Sequence, residues 1–225
     1  MDNRQPLTIA IIGGTGKEGK GLAYRWAKAG HHVIIGSRTA EKAQQAVAEL
    51  QQLLGSSANL EGLENLNAAA RAEVIVLTVP YAAHRQTLEM LKEALQGKLL
   101  IDVTVPLVPP KVTHVQMPPA GSATQEAQEI LGEGVEICAA FQNISYEHLM
   151  GDGEVECDVL VTGTSKAARQ RTLQLVADAG LIGWDAGPIQ NSVVVEGLTS
   201  ILIYINKQYG STHAGIRITG VSRPA

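Results

Sequence analysis

Short apolar runs alternate with helix-like periodic segments over the first two-thirds of this 225-residue chain. The apolar runs are too short for buried helices and predict β-strands at residues 8–13, 31–37, 74–79, 98–105 and 135–141, with a weaker strand at 59–62. Between them, apolar residues recur at helical spacing and predict helices at about 17–29, 40–54, 82–95 and 122–131. Strands that alternate with helices are typical of βαβ units. The pattern therefore predicts an α/β fold with a doubly wound parallel sheet.

After a predicted linker at Gly151–Asp152–Gly153, the remaining chain has its own small pattern. It contains a strand at 158–163, a helix at 165–179 and the stretch GLIGWDAG, which together form a βαβ-like unit. A last helix, at about 192–208, is apolar nearly all round, which predicts burial, and in so small a lobe a partner subunit is the expected cover. We therefore predict two domains, residues 1–150 and a small C-terminal α/β lobe of residues 151–225, and a homodimer formed through the lobe.

The first predicted strand runs into the sequence GTGKEG, from Gly14 to Gly19, and a helix follows. This is the G-x-G-x-x-G pattern in the strand–turn–helix context that dinucleotide binding requires. Gly14 is expected to permit the tight turn, Gly16 to let the backbone approach a pyrophosphate, and Gly19 to let the helix pack close to the strand. The helix N-terminus offers free N–H groups to the phosphates. The first domain is therefore predicted to be a Rossmann-like dinucleotide-binding domain.

The end of the second predicted strand indicates which dinucleotide is bound. NAD-preferring sites usually carry Asp or Glu there, to hold the ribose 2′-hydroxyl. This chain instead has Ser37 and Arg38, with Lys42 one helical turn further on. A hydroxyl and two cations are suited to a 2′-phosphate. The pattern favours NADP over NAD; the alternative is that Arg38 and Lys42 are solvated surface charges.

Composition argues against several other classes of protein. The formal net charge of −4 and the lack of a basic run argue against nucleic-acid binding. No stretch has the length and apolarity of a membrane span, and the polar N-terminus has no secretory signal pattern. The two cysteines form no CxxC motif and the six histidines show no ligand spacing, so we expect a cytoplasmic protein without a metal site.

The nicotinamide end of the site is expected at the carboxyl ends of the later strands. These ends are mostly apolar, and the sequence places no carboxylate pair, Ser–His–Asp set or Cys–His pair there. His84 is expected at the protein surface, and Cys138 is expected to be a small buried hydrophobic residue. Such a site suits direct hydride transfer between two cofactor rings, in which the protein orients and desolvates them. We therefore predict an oxidoreductase without a catalytic side chain.

The glycine loop also fits the pattern G-x-x-G-x-x-G, counted from Gly13, of extended short-chain dehydrogenases. Those enzymes need a Tyr-x-x-x-Lys pair beside the nicotinamide. The match here is Tyr24 with Lys28, in the helix just after the phosphate loop and therefore at the pyrophosphate end of the cofactor. We set this family aside.

Several segments together resemble the NADP oxidoreductases that depend on coenzyme F420, a deazaflavin. They are IAIIGGTGKEGKGLAYRWAKAGHHVIIGSRTAEKA, VIVLTVPY, LLIDVTVPL, GSATQEAQEIL, DAGPIQNSVVVEGLTSILIYIN and the closing GSTHAGIRI. The resemblance runs over nearly the whole chain. It implies that F420 binds in the cleft between the dinucleotide-binding domain and the C-terminal lobe. It also implies reversible hydride transfer between C4 of the nicotinamide and C5 of the deazaflavin, with NADP(H) as cofactor and F420 as co-substrate.

The resemblance implies the site residues as well. Thr15, Gly16, Lys17 and Glu18 would line the pyrophosphate, and Ser37, Arg38 and Lys42 would take the 2′-phosphate. Val79, Pro80 and Val103 would flank the nicotinamide ribose and ring. The candidates for the deazaflavin are Gln142, Asn143, Ile144 and Ala214.

One position departs from this family, which often has histidine where the chain has Gln142. Glutamine donates a hydrogen bond but carries no charge, so it compensates an anionic reduced deazaflavin less well. His213 is a candidate to supply that charge. Two alternatives stay open: NADPH-dependent reduction of a true flavin, as in related membrane metalloreductases, and a non-catalytic NADPH sensor.

Overall fold

The computed structural model describes residues 5–151 and 153–223, so Asp152 of the predicted linker lies outside the described residues. The strands in these ranges are β1 (Thr8–Ile12), β2 (His32–Ser37), β3 (Leu60–Glu64), β4 (Val74–Leu77), β5 (Leu99–Asp102), β6 (Glu136–Ala139), β7 (Asp158–Gly163) and β8 (Ile182–Pro188). The helices are α1 (Lys17–Lys28), α2 (Ala40–Leu54), α3 (Asn65–Arg71), α4 (Tyr81–Leu95), α5 (Ala123–Leu131), α6 (Lys166–Asp178) and α7 (Ser192–Tyr209). Short 3₁₀ turns cover Tyr146–His148 and Ile189–Asn191.

These strands form one sheet in the order β3-β2-β1-β4-β5-β6-β7-β8. Neighbouring strands run parallel except β6 and β7, which are antiparallel. The winding reverses between β1 and β4, and ligands bind at such a switch point, beyond the carboxyl ends of the strands. The predicted α/β fold, a Rossmann-like doubly wound sheet, is confirmed.

Helices cover both faces of the sheet. One face buries side chains of α1, α2 and α6, with Trp26 and Leu175 among them. The other face buries side chains of α3, α4 and α5, including Leu88. Because both faces are covered, the central strands are apolar on both sides, which explains the uninterrupted apolar runs in the sequence.

The C-terminal segment continues the same sheet. Cys138 of β6 pairs with Gly163 of β7, and β8 runs parallel to β7. The Trp26 indole N–H donates to the Leu175 carbonyl oxygen at 2.8 Å, which joins α1 to α6. The division at residues 150 and 151 stays a prediction, and the sheet and the buried core run across it.

One helix differs from the expectation. The pattern does not predict α3, because a helix of two turns that follows directly on a strand is too short to show periodicity. On α7, Val194 is 68% and Ile201 is 49% exposed in the single chain, so the burial of this helix by a partner subunit stays a prediction. No helix in the described ranges combines the length and apolarity needed to cross a membrane.

Candidate functional site

The loop between β1 and α1 makes the close approaches of a phosphate-binding turn. Gly13 takes the left-handed conformation (φ +74°), and the Gly14 N–H donates to the Ile11 carbonyl oxygen at 3.2 Å, which closes a tight turn. Glycine is required at Gly14 in this turn, as predicted, because a Cβ there would lie 2.7 Å from the Ile11 carbonyl oxygen. A Cβ at Gly19 would lie 2.6 Å from Cα of Gly14, which confirms the close packing predicted for Gly19.

The N-terminus of α1 is open to an anion. Gly16 is the N-cap residue, and no side chain caps the helix. A Cβ at Gly16 would meet the Gly13 carbonyl oxygen at 3.8 Å and no closer atom of the described residues, so the space over it is open. The first-turn N–H groups and the positive end of the helix dipole favour an anion there, with Thr15 beside them. This cradle fits a pyrophosphate.

Lys17 and Glu18 begin α1. Lys17 Nζ donates to the Tyr146 hydroxyl at 3.0 Å and lies 4.6 Å from the Tyr146 ring centroid, and this hydrogen bond raises the pKa of Lys17. Glu18 Oε1 is buried and has no hydrogen-bond partner among the described residues. Burial raises the pKa of Glu18 to about 8, so this carboxyl group is mostly neutral at pH 7. A neutral Glu18 does not repel a phosphate.

Asn65, which the sequence analysis does not identify, supports this loop from α3. Its Oδ1 accepts a hydrogen bond from the N–H of Gly13 at 3.4 Å. The same atom would lie 2.9 Å from a Cβ at Gly36. No local pattern marks Asn65, because its partner is 52 residues away in the chain.

Ser37, Arg38 and Lys42 lie together where β2 passes into α2. Ser37 is the buried last residue of β2, while Arg38 and Lys42 are exposed, and no ion pair of either cation is found within the described residues. The strand register also places Glu64 opposite Ser37, at the end of β3. No local sequence pattern marks this carboxylate, because β3 is distant from β2 in the chain.

Val79 and Val103 follow the carboxyl ends of β4 and β5, and they pack against the hydrophobic clusters on the two different faces of the sheet. A Cβ at Gly13 would lie 2.7 Å from Val79 Cγ1, so Val79 lies directly against the phosphate loop. The Val103 N–H donates to the Leu77 carbonyl oxygen at 3.0 Å. Pro80 is exposed and is the N-cap residue of α4. These residues form an apolar edge at the switch point, which fits the flat ring of a nicotinamide.

The next loop along the sheet edge, residues 141–144, follows β6. Phe141 has φ +74°, the only positive φ of a non-glycine residue in the described ranges, and its ring packs edge-on to Trp26. Gln142 Nε2 donates to the Asp102 carbonyl oxygen, and Asn143 Nδ2 donates to the Asp158 carbonyl oxygen, both at 2.6 Å.

These two hydrogen bonds fix how both side-chain amides are oriented, because a carbonyl accepts only from the NH₂ group. Gln142 Oε1 and Asn143 Oδ1 are therefore left as buried oxygens without hydrogen-bond partners in the described structure. Ile144, also buried, completes the loop. Two free acceptors beside apolar side chains fit a ring that carries N–H groups.

Ala214 and His213 reach this region from the segment after α7. The Ala214 N–H donates to Asn206 Oδ1 at 2.8 Å. The His213 ring lies 5.0 Å from that of His148 and is exposed. That His213 compensates charge on a ring beside Gln142 stays a prediction.

His84 differs from the expectation, because it is fully buried instead of lying at the surface. Its Nε2 is 2.7 Å from Asp102 Oδ2, and Asp102 is fully buried as well.

Cys138 is a buried free thiol, as expected, and burial raises its pKa to about 11. No group of three or more metal-ligating side chains is present within the described ranges.

The glycine loop, the free N-terminus of α1 and the apolar switch-point edge define a Rossmann-type dinucleotide-binding protein. A sequence profile of the NADP oxidoreductases dependent on coenzyme F420 matches residues 8–106. The F420-dependent NADP reductase of Methanocaldococcus jannaschii is 38% identical over 223 residues, 96% of this chain and 99% of that protein. The chain belongs to this family, and the resemblance found in the sequence is confirmed.

Two further relatives show how far the similarity extends. A solved structure from Arthrobacter sp. fb24, described as an F420-dependent NADP-reductase, superposes with a TM-score of 0.78 at 25% identity, covering 95% of this chain and 99% of that one. The metalloreductase STEAP2 of Mus musculus is 26% identical over 198 residues, 88% of this chain but only 36% of that protein. The first similarity extends over both chains, whereas the second is confined to about a third of the larger protein.

Proposed function

We propose that this protein catalyses reversible hydride transfer between NADP(H) and coenzyme F420. The observation that carries the proposal is the row of loops at the carboxyl ends of β1, β4, β5 and β6. These loops carry the Gly13 turn, Val79, Val103 and the buried oxygens of Gln142 and Asn143, which have no hydrogen-bond partner in the described structure. The two cofactors supply the hydride donor and acceptor. The protein binds them, orients them and excludes water, so no catalytic side chain is required.

The phosphate end of NADP(H) is held by main-chain and cationic groups. In this proposal the pyrophosphate lies on the N-terminus of α1, between Thr15 and Glu18, where the open space over Gly16 admits it. The 2′-phosphate is bound by Ser37, Arg38 and Lys42.

The nicotinamide ring is held by Val79, Pro80 and Val103, which expel water from one of its faces. The deazaflavin takes the neighbouring position, with hydrogen bonds to the free oxygens of Gln142 and Asn143 and contacts to Ile144 and Ala214. Both amides are already fixed by their bonds to main-chain carbonyls, so no side-chain entropy is lost when the ring binds.

We further propose that a second copy of the chain covers the outer face of α7. Val194, Ile201 and Ile205 lie on one side of this helix at helical spacing and are exposed. Apolar side chains clustered in this way on a helix are typical of an interface.

We propose a cytoplasmic location because both cysteines are free thiols.

The experiment mixes the protein with NADPH and either F420 or flavin mononucleotide, and follows bleaching of the absorbance of the acceptor ring. Bleaching of F420 alone is expected. Bleaching of the flavin alone would show a flavin reductase instead, and no bleaching of either ring would favour an NADPH sensor. The reverse reaction, with reduced F420 and NADP⁺, tests reversibility.

A further inference from the structure

A chain of polar contacts leads from the surface of α4 to the loop after β6. The exposed Arg85 donates to Glu126 Oε1 at 2.6 Å, and Glu126 Oε2 lies 3.5 Å from His84 Nδ1. On its other side, His84 Nε2 is 2.7 Å from Asp102 Oδ2. The chain ends at Gln142, whose Nε2 donates to the main-chain oxygen of Asp102. The proposed hydride transfer uses none of the first four side chains.

We propose that His84 is a positioning residue that acts through Asp102 on Gln142, and so sets the affinity of the site for the deazaflavin ring. This inference rests on the proposed function, because it takes the free oxygen of Gln142 as a contact of that ring. His84 is fully buried, so it acts through its neighbours and not by contact with the cofactor.

The Asp102 carboxylate is held at both oxygens. Oδ2 faces His84, and Oδ1 accepts the N–H of Thr104 at 3.0 Å. A buried carboxylate requires such partners, since an unpaired charge in the interior is strongly destabilising. The pair of bonds clamps the turn of residues 102–104, which includes Val103. The Asp102 main-chain carbonyl also accepts the N–H of Ala140 at 3.4 Å, so the sheet and the His84 contact together set its orientation.

The Gln142 amide depends on that carbonyl. The preceding residue, Phe141, has a positive φ that a bulky residue adopts only when its surroundings enforce it. Thr199 Oγ1 of α7 holds the Gln142 main-chain oxygen at 2.8 Å. The Asp102 carbonyl is the partner that the structure shows for the side chain, and it leaves Oε1 free. If the carbonyl turns away, the amide loses its orientation.

The charge on His84 strengthens the clamp. Burial disfavours the imidazolium and by itself would lower the pKa of His84. The charge and the hydrogen bond of Asp102, with smaller contributions from the charges of Glu126 and Glu196, exceed this effect and raise the pKa. The other charged or titratable groups next to this cluster are Arg85, bound to Glu126, and Tyr81. A cationic His84 pairs with Asp102, whereas Glu126 is also paired with Arg85, so loss of the imidazolium charge would chiefly affect Asp102.

The first experiment needs no cofactor. Nuclear magnetic resonance measures solvent exchange of the Gln142 side-chain NH₂ protons in the wild type, His84→Ala, His84→Gln and the control His114→Ala, which removes an exposed histidine. We expect exchange about tenfold faster in His84→Ala. His84→Gln should restore much of the protection, because its amide donates to Asp102 in place of Nε2. Melting temperatures show whether each variant is folded.

The second experiment measures dissociation constants for F420 and for NADPH on the same four proteins. The F420 constant should rise about tenfold in His84→Ala and recover partly in His84→Gln, while the NADPH constant changes less than about twofold. As pH rises through the raised pKa of His84, F420 binding should weaken in the wild type more than in His84→Gln. A variant that was merely unstable would lose both cofactors together.

The outcomes separate the two proposals. Unchanged Gln142 exchange in a folded His84→Ala protein, or an unchanged F420 constant, would overturn the role of His84. Failure of the wild type to transfer hydride between NADPH and F420 would instead overturn the proposed function, whatever the exchange experiment shows.

Discussion

Ser37, the last residue of β2, lies in register with Glu64, the last residue of β3. Side chains at paired positions of neighbouring strands lie on the same face of a sheet. A carboxylate therefore stands next to the hydroxyl group that we propose for the 2′-phosphate. The preference for NADP depends on whether the attraction of the 2′-phosphate to Arg38 and Lys42 exceeds its repulsion by Glu64.

Arg38→Ala should weaken NADPH binding by about tenfold to a hundredfold, because it removes a guanidinium that suits a phosphate. NADH carries no 2′-phosphate, so its affinity should stay the same. Titration calorimetry with both dinucleotides measures the difference. Arg171→Ala, at an exposed position of α6, is the control. Equal weakening of both dinucleotides would contradict the assignment.

Glu64→Gln should have the opposite effect and strengthen NADPH binding by a few-fold, because it removes a negative charge near the 2′-phosphate. The gain should shrink at high salt, where exposed charges are screened. The same calorimetry, at low and high ionic strength, measures it, with the exposed Glu93→Gln as the control. Weaker NADPH binding in Glu64→Gln would show instead that this carboxylate makes a favourable contact with the ribose of NADPH.

Glu18 predicts a pH dependence of cofactor affinity. Since burial raises its pKa to about 8, the side chain loses its proton above that pH and places a negative charge at the pyrophosphate loop. NADPH should bind more weakly at pH 9 than at pH 7, and Glu18→Gln should lessen this change. An identical pH profile in the two proteins, measured by NADPH fluorescence, would exclude Glu18 as the cause.

Glu196 anchors α5 to α7 and so predicts a stability effect. Its two oxygens accept the N–H groups of Ala123 (2.7 Å) and Thr124 (3.0 Å) and the Thr124 hydroxyl (2.7 Å). Glu196→Ala leaves these buried donors without partners, and we expect a loss of about 2–4 kcal/mol in the free energy of unfolding. Urea denaturation measures it, and Glu93→Ala should change stability by less than about 0.5 kcal/mol.

The pH dependence of that stability follows from the same residue. Burial raises the pKa of Glu196 to about 7, above its unfolded value of 4.5, so the native state binds the proton more tightly. The contribution of Glu196 to the unfolding free energy should therefore be greatest below pH 4.5 and fall as pH rises to about 7. In urea titrations at several pH values, the unfolding free energy of the Glu196→Ala protein should not show this decline. An equal decline with pH in both proteins would contradict the assignment of the pH dependence to Glu196.

The apolar face of α7 predicts an oligomer. Val194→Glu places a charge in the proposed interface, and sedimentation should show a shift from dimer to monomer at micromolar concentration. Lys207→Glu, at an exposed position on another side of the same helix, should leave the dimer intact. A wild-type protein that sediments as a monomer would contradict the second copy as the partner.

Local features of the chain were predicted well. The helix at 40–54 has the predicted bounds, and the parallel strands were found from their apolar runs, because both of their faces are buried. The family was identified from the glycine loop and the segments around it. Features that depend on distant neighbours were missed or misassigned, among them α3 and the surface placement of His84.

The sequence by itself determined the fold class, the phosphate loop and the family, because each depends on patterns within a few residues. Only the tertiary structure placed Asn65 against Gly13, Glu64 opposite Ser37, and His84 against Asp102. These pairs join residues that are distant in the chain and meet only where strands and helices are packed together. A polar residue that appears exposed in the sequence can be fully buried when its partner comes from another element, because the pairing offsets the cost of removing both groups from water.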